Sequence, residues 1–264
     1  MTSPLALEDK VAELAATIRM LGLRFLEGAH RSPRTGQGLE FESLQPYQAG
    51  DDIRQLDWKK LAATDRPFVR RKHPERRNHW HLVLDHSASM GYGKKWDYVQ
   101  IFVGTLVMLF QRWGDSCHLW PGGGRSFEEI LRGLVESPGG STDFMSLTRG
   151  LPDEAQSRII LVSDFMMPFG GLKKLQRGSF AVQVLDGQEV DFPFSETLEF
   201  RDCESAAKLL LPSAQIRSAY QEEFKRFQGE LREFFNADSQ FFSFRAEPDR
   251  IVEDLVNFFE QWRE

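Results

Sequence analysis

Apolar residues recur at spacings of three and four through Leu7, Val11, Leu14, Ile18, Leu21 and Phe25, which predicts an amphipathic first helix over residues 5–26. Residues 30–38 break the pattern with Ser32, Pro33, Gly36 and Gly38 and read as a loop. An extended segment over 40–47, a turn at Gly50-Asp51-Asp52, helical spacing over 53–63 and a strand-like segment over 67–72 follow. From His79 onward, short apolar runs alternate with amphipathic stretches. Strands are expected at 80–84, 117–120, 158–163, 180–185 and 197–200, and helices at 95–112, 127–135, 143–150 and 172–177, with two helical stretches at the C-terminal end. Alternation at these intervals predicts an α/β fold with a mostly parallel central sheet flanked by helices. The chain then divides into an N-terminal extension, 1–78, and a sheet domain, 79–264.

Open parallel sheets bind ligands in the crevice beyond the carboxyl ends of their strands. Two of the expected strands end in aspartate, Leu82-Val-Leu-Asp85 and Leu161-Val-Ser-Asp164, so both carboxylates should project from one edge of the sheet. Asp85-His86-Ser87-Ala88-Ser89 adds two hydroxyls at alternating positions, and Thr142 lies in the glycine-bearing loop Pro138-Gly-Gly-Ser-Thr142. Asp85, Ser87, Ser89, Thr142 and Asp164 together offer only oxygen donors, a set suited to Mg²⁺, with Mn²⁺ or Ca²⁺ as substitutes. Taken singly, each aspartate reads equally well as a helix cap or loop acceptor.

Composition narrows the class. The 264 residues are 41% hydrophobic and 27% charged, with a net charge of −6, which describes a globular chain without the global charge of a nucleic-acid binder. Two cysteines, Cys117 and Cys203, exclude a disulfide framework or a cysteine-based zinc cluster, and a cytoplasmic location is expected. The longest apolar run, 101–110, is too short to cross a membrane, and no secretory signal is read at the N-terminus. Charge is uneven: residues 54–77 hold nine Lys or Arg against three acids, leaving −12 for the remainder. That segment reads as a solvated face with internal ion pairs, or as one that docks on the acidic remainder or meets an acidic partner. Phenylalanine is abundant, 22 against 4 tyrosines, and crowds the last 41 residues, where helical spacing assigns most rings to the core.

The segment Asp85-x-Ser87-x-Ser89-Met90, then Thr142, then Asp164, resembles the metal-ion-dependent adhesion site of von Willebrand factor A domains. The upstream string Gly50-Asp51-Asp52-x-Arg54-x-x-Asp57-Trp58, with Glu40-Phe41 and Tyr47 before it, is similar to the signature of the family called domain of unknown function 58. The resemblance covers about residues 38–204. It implies a von Willebrand A-like Rossmannoid fold and a metal site that mediates protein contacts rather than catalysis. Ser87, Ser89 and Thr142 would be direct ligands, Asp85 and Asp164 direct or water-mediated ones, and a partner carboxylate would complete the shell. Family members are commonly encoded beside MoxR-type AAA+ ATPases, so the implied partner is such an ATPase or its client. Many relatives carry membrane segments; none is read here, and neither nucleic acid nor membrane insertion is expected. Leu185-Asp186-Gly187 departs from the Asp-Pro of many relatives.

The signature from Gly50 to Trp58 carries no evident catalytic chemistry. Gly50 permits a turn, Asp51 or Asp52 can cap a helix, Arg54 and Asp57 can pair, and Trp58 offers an apolar face, so it reads as a structural clamp or a partner surface. Two other functions compete with the adhesion module. One is a Mg-dependent hydrolase with Asp85 as nucleophile, although Ser87 replaces the usual second acid; the other is a scaffold that uses no metal. His86 reads as a loop residue, and His79 and His81 as packing or surface residues without a third ligand. No P-loop or nucleophile elbow is present.

Overall fold

The computed structural model describes residues 3–20, 40–46, 60–61, 64, 66–73, 78–141, 143–144, 147, 151, 157–167, 169, 172, 179–205, 207–235 and 240–262. The signature residues Gly50, Asp51, Asp52, Arg54, Asp57 and Trp58 lie outside them, as do Thr142 and most of the helices expected at 53–63, 143–150 and 172–177.

Two compact units emerge, Met1–Ala29 with Asn78–Glu264, and His30–Arg77. In the smaller one, β1 (Glu40–Pro46) pairs antiparallel with β2 (Phe68–His73), with a register shift between Phe41 and Ser43. Lys60 Nζ stands 4.5 Å from the centroid of the Phe68 ring, a cation–π contact within this unit.

The larger unit is built on five parallel strands: β3 (His79–Leu84), β4 (Ser116–Trp120), β5 (Ser157–Ser163), β6 (Ser179–Leu185) and β9 (Gln240–Arg245), in the order β4-β3-β5-β6-β9. Successive residues of a strand face opposite sides, and these strands are apolar on both. Trp80, Leu82, Leu84, Ile160, Val162, Val182, Val184, Phe242 and Phe244 enter one core. That core is covered by helices α1 (Pro4–Met20), α2 (Lys95–Arg112), α3 (Phe127–Val135) and α6 (Ile251–Trp262). Val83, Leu161 and Ala181 face a second core with Leu231 and Phe235 of α5 (Ser213–Phe235). The C-terminal rings therefore divide between the two sides, Phe242, Phe244, Phe258 and Phe259 on one and Phe235 on the other.

Several expectations change. Helix α1, expected in the N-terminal extension, has Leu7 and Val11 fully buried in the sheet core, so it packs with the larger unit. The strand expected at 197–200 is β7 (Thr197–Arg201); instead of joining the central sheet it forms an antiparallel hairpin with β8 (Lys208–Pro212). Strand β9 and the short helix α4 (Gly187–Asp191) were not anticipated. A six-residue aromatic run between two helices has no periodicity that distinguishes strand from helix.

Candidate functional site

The strand order fixes where a ligand can sit. From β3 the chain passes outward to β4 and then returns across β3 to β5, so the order reverses between β3 and β5 and opens a crevice beyond their carboxyl ends. Asp85 and Asp164 follow those two strands directly, and each is 1% exposed. The Asp85 amide donates to Val162 O at 2.9 Å, continuing the β3–β5 ladder up to the site.

Local geometry then brings the hydroxyls together. Asp85 Oδ1 accepts from the Ser87 amide at 3.0 Å, which curls the loop, and a 3-10 turn over Ala88–Gly91 carries it onward. Met90, fully buried, anchors that turn in the core. As a result Ser87 Oγ and Ser89 Oγ lie 3.0 Å apart. Asp85 Oδ2 accepts from Ser163 Oγ at 2.6 Å, and Ser163 Oγ in turn accepts from the Phe165 amide at 2.9 Å. Ser163 thus ties the two strand ends together. Phe165 is held at φ 56°, a left-handed conformation that costs a bulky residue energy, and its fully buried ring offsets the cost. The glycine loop is fastened to the same place by Ala88 N to Gly140 O at 3.0 Å and Gly139 N to His86 O at 2.8 Å.

Lysine 95 was not anticipated. Its side chain is fully buried, and Nζ donates to Asp164 Oδ2 at 2.8 Å and to Glu189 Oε1 at 2.7 Å. Asp164 Oδ1 accepts from the Met166 amide at 3.1 Å. Burial works against the Lys95 ammonium, but Asp164 and Glu189 outweigh it and raise its pKa, so the lysine stays charged. Burial also pushes the Glu189 carboxyl above its usual range, opposed by Lys95. Glu189 belongs to α4, where Asp186 and Glu189 form a reciprocal capping box. Asp186 Oδ2 accepts from the Lys94 amide at 3.0 Å, Tyr92 Oη donates to Gln188 Oε1 at 2.7 Å and Tyr220 Oη donates to Glu189 O at 2.7 Å. Helix α4 is thereby secured to the loop carrying Ser87 and Ser89 and to α5. Two sequence signals mark this network: the Asp186-x-x-Glu189 pattern, and a lysine in the first turn of α2, where the helix dipole disfavours a cation.

Two ligand oxygens at right angles around a Mg²⁺ ion, with bonds of about 2.1 Å, stand about 3.0 Å apart. The Ser87–Ser89 pair meets that spacing. Asp85 already accepts at both oxygens and suits a water-mediated role, while Asp164 is shared with Lys95. Among the described residues no three His, Cys, Asp or Glu side chains form a metal cluster, and the candidate set rests on hydroxyls instead. Around it, Tyr92, Met166 and Met167 are exposed. A cleft of about 570 Å³ runs from Ser89 and Tyr92 over Phe192, Phe194 and Phe200 to Tyr220.

Of the histidines considered above, His81 and His86 pack against tryptophans and His79 is exposed. His81 is buried and its Nδ1 accepts from Trp120 Nε1 at 3.0 Å, His79 Nδ1 pairs with Ser116 Oγ at 2.6 Å, and His86 packs edge-on against Trp96 at 4.6 Å between centroids. Among the described residues no helix is long and apolar enough to cross a membrane.

An uncharacterised protein of Mycobacterium bovis and one from each of the Mycobacterium tuberculosis strains CDC 1551 and H37Rv are 24% identical to this chain over 248 residues, covering 81% of it and 77% of each relative. Residues 43–230 match the family model described as "Protein of unknown function DUF58", a span that takes in both aspartate-ended strands, Lys95 and Glu189. The chain belongs to the DUF58 family.

Proposed function

We propose that this chain is a non-catalytic protein-interaction module of von Willebrand factor A-like type, in which Mg²⁺ on Ser87, Ser89 and Thr142 bridges to a carboxylate of a partner. Asp85 and Asp164 supply the charge, directly or through water. The observation that carries the reading is the pair of hydroxyls 3.0 Å apart on the loop that follows the buried Asp85, at the switch point where the neighbouring strand ends in the buried Asp164. The bound ion would act as a Lewis acid toward the incoming carboxylate. Exposed Tyr92, Met166 and Met167 and the aromatic cleft beside Ser89 add apolar surface of the kind that protein partners cover. The partner is a MoxR-type AAA+ ATPase or its client, in the cytoplasm, with the chain acting as adaptor or chaperone-like cofactor; the family resemblance supplies this part. Asp85 as the nucleophile of a hydrolase fits less well, because it is almost wholly buried and both its oxygens accept hydrogen bonds.

Calorimetric titration with Mg²⁺ and Mn²⁺ tests the site: saturable binding by the wild type, lost in Asp85→Ala and Ser87→Ala, is expected. Absence of binding by the wild type, or equal binding by the variants, rejects it. Capture of a MoxR-type AAA+ ATPase from the same genome is expected to be abolished by a chelator, and chelator-insensitive capture rejects the metal bridge. The metal-independent scaffold has one observation in its favour, the Lys95 ammonium that already pairs with Asp164.

A further inference from the structure

A buried ammonium is tolerated only where opposite charges and hydrogen bonds replace its water. Lys95 has both, yet they come from different elements: Asp164 ends β5, and Glu189 lies in α4 beyond β6. Helix stability does not explain the lysine, since the first turn of α2 repels a cation. Packing does not require it either, because an apolar side chain of similar length would fill the same space without burying charge. What the ammonium does is hold one oxygen of Asp164, the carboxylate that follows β5 at the switch point. Any divalent ion seated on Ser87 and Ser89 would draw on the same carboxylate, and two cations on one buried carboxylate repel each other.

We propose that Lys95 is a tethered cation that competes with the divalent ion for Asp164, and that Glu189 is the second acceptor to which the ammonium withdraws when the ion binds. This rests on the metal-site reading above and adds its regulation. The Lys95–Glu189 pair then sets the metal affinity as a positioning device, without being part of the ligand shell. It also links the site to the partner cleft. Glu189 lines that cleft, and its backbone carbonyl accepts from the hydroxyl of Tyr220, which lines it too. A partner that presses on α4 shifts the ammonium, and so shifts the affinity of the ion that the partner's own carboxylate would touch.

The test uses the whole chain and Mg²⁺ alone. Lys95→Met is expected to bind Mg²⁺ about tenfold more tightly or better, within the usual size of coupling between linked sites. Glu189→Gln, which leaves Asp164 as the only charged partner of the ammonium, is expected to bind it more weakly. A role confined to structure would weaken binding in both variants. In thermal melts Lys95→Met should lose stability in chelator and recover more than the wild type on adding Mg²⁺, a readout that stands even if the variant is marginally folded without metal. A crystal structure with Mg²⁺ should show Nζ beyond hydrogen-bonding distance of Asp164 and still on Glu189. Should the wild type bind while Lys95→Met binds equally or less well, the competition is overturned and the metal reading survives. Binding by neither overturns both, and binding by Lys95→Met alone overturns the metal reading for the native chain together with the withdrawal of the ammonium to Glu189.

Discussion

Lys95 and Asp254 are both buried ionisable groups, but the carboxylates around Lys95 favour its charge whereas burial disfavours that of Asp254. Burial raises the Asp254 carboxyl pKa, against the opposing effect of the hydrogen bond it accepts from Tyr98 Oη at 2.7 Å. The folded state therefore favours the protonated acid. Stability from this group rises as pH falls through the window between the raised folded value and the unfolded value of about 3.9, and above that window the buried charge is a constant cost. Asp254→Asn keeps an acceptor for Tyr98 and removes the charge, so its melting temperature at pH 7 is expected to exceed the wild type's, with the gap closing near pH 4. The cysteines differ in the opposite way. Burial pushes the Cys117 thiol up to about 12, while Cys203 is exposed. A thiol reagent at pH 8 should label Cys203 in seconds to minutes and Cys117 only after denaturation; rapid labelling of both in the native protein would contradict the burial. The strand-end aspartates and the serines were legible as residues because apolar runs stop at them. Lys95 was not read, since a lysine beginning an amphipathic helix looks like a solvated one until its burial is known.

At the scale of elements, the α1–α2 contact is set by one glycine. A Cβ at Gly104 would come within 2.8 Å of Val11 Cγ2, and Val11 is fully buried and stiff at χ1. Alanine ordinarily favours a helix over glycine by about 1 kcal/mol. Here Gly104→Ala is expected to destabilise instead, by about 1–3 kcal/mol from overpacking, measured by urea unfolding. Gly93 makes a second close approach. At φ +59° its position would put a Cβ 2.1 Å from Asp186 Oδ2, so Gly93→Ala should break the Lys94–Asp186 hydrogen bond and weaken metal binding along with stability. Helices α2 and α3 were legible to the residue, because long apolar periodicity defines them. The hairpin β7–β8 and strand β9 were not: a run of five or six residues bears no signature of which sheet it will join.

For the whole molecule, both cores of the larger unit are built, among the described residues, without side chains from 30–77. Replacing 30–77 by a flexible linker should leave a cooperative thermal transition and native-like circular dichroism, whereas Leu7→Ala should cost about 2–5 kcal/mol because α1 is part of the core. Loss of the transition on replacing 30–77 would show that the smaller unit is needed to complete the fold.

The sequence by itself determined the alternation of strands and helices, the parallel sheet, and the two aspartates and two serines that a parallel sheet must present at one edge. These are local facts, written in periodicity and in where apolar runs end. Only the tertiary structure decided that β3 and β5 are neighbours, that the Ser87 and Ser89 hydroxyls stand side by side, and that α1 belongs to the sheet unit. It also decided that Asp164 shares the ammonium of Lys95 with Glu189, residues 69 and 25 positions away from it in the chain. Pairing between distant charges depends on strand order and burial, and neither is encoded in the spacing of residues along the chain.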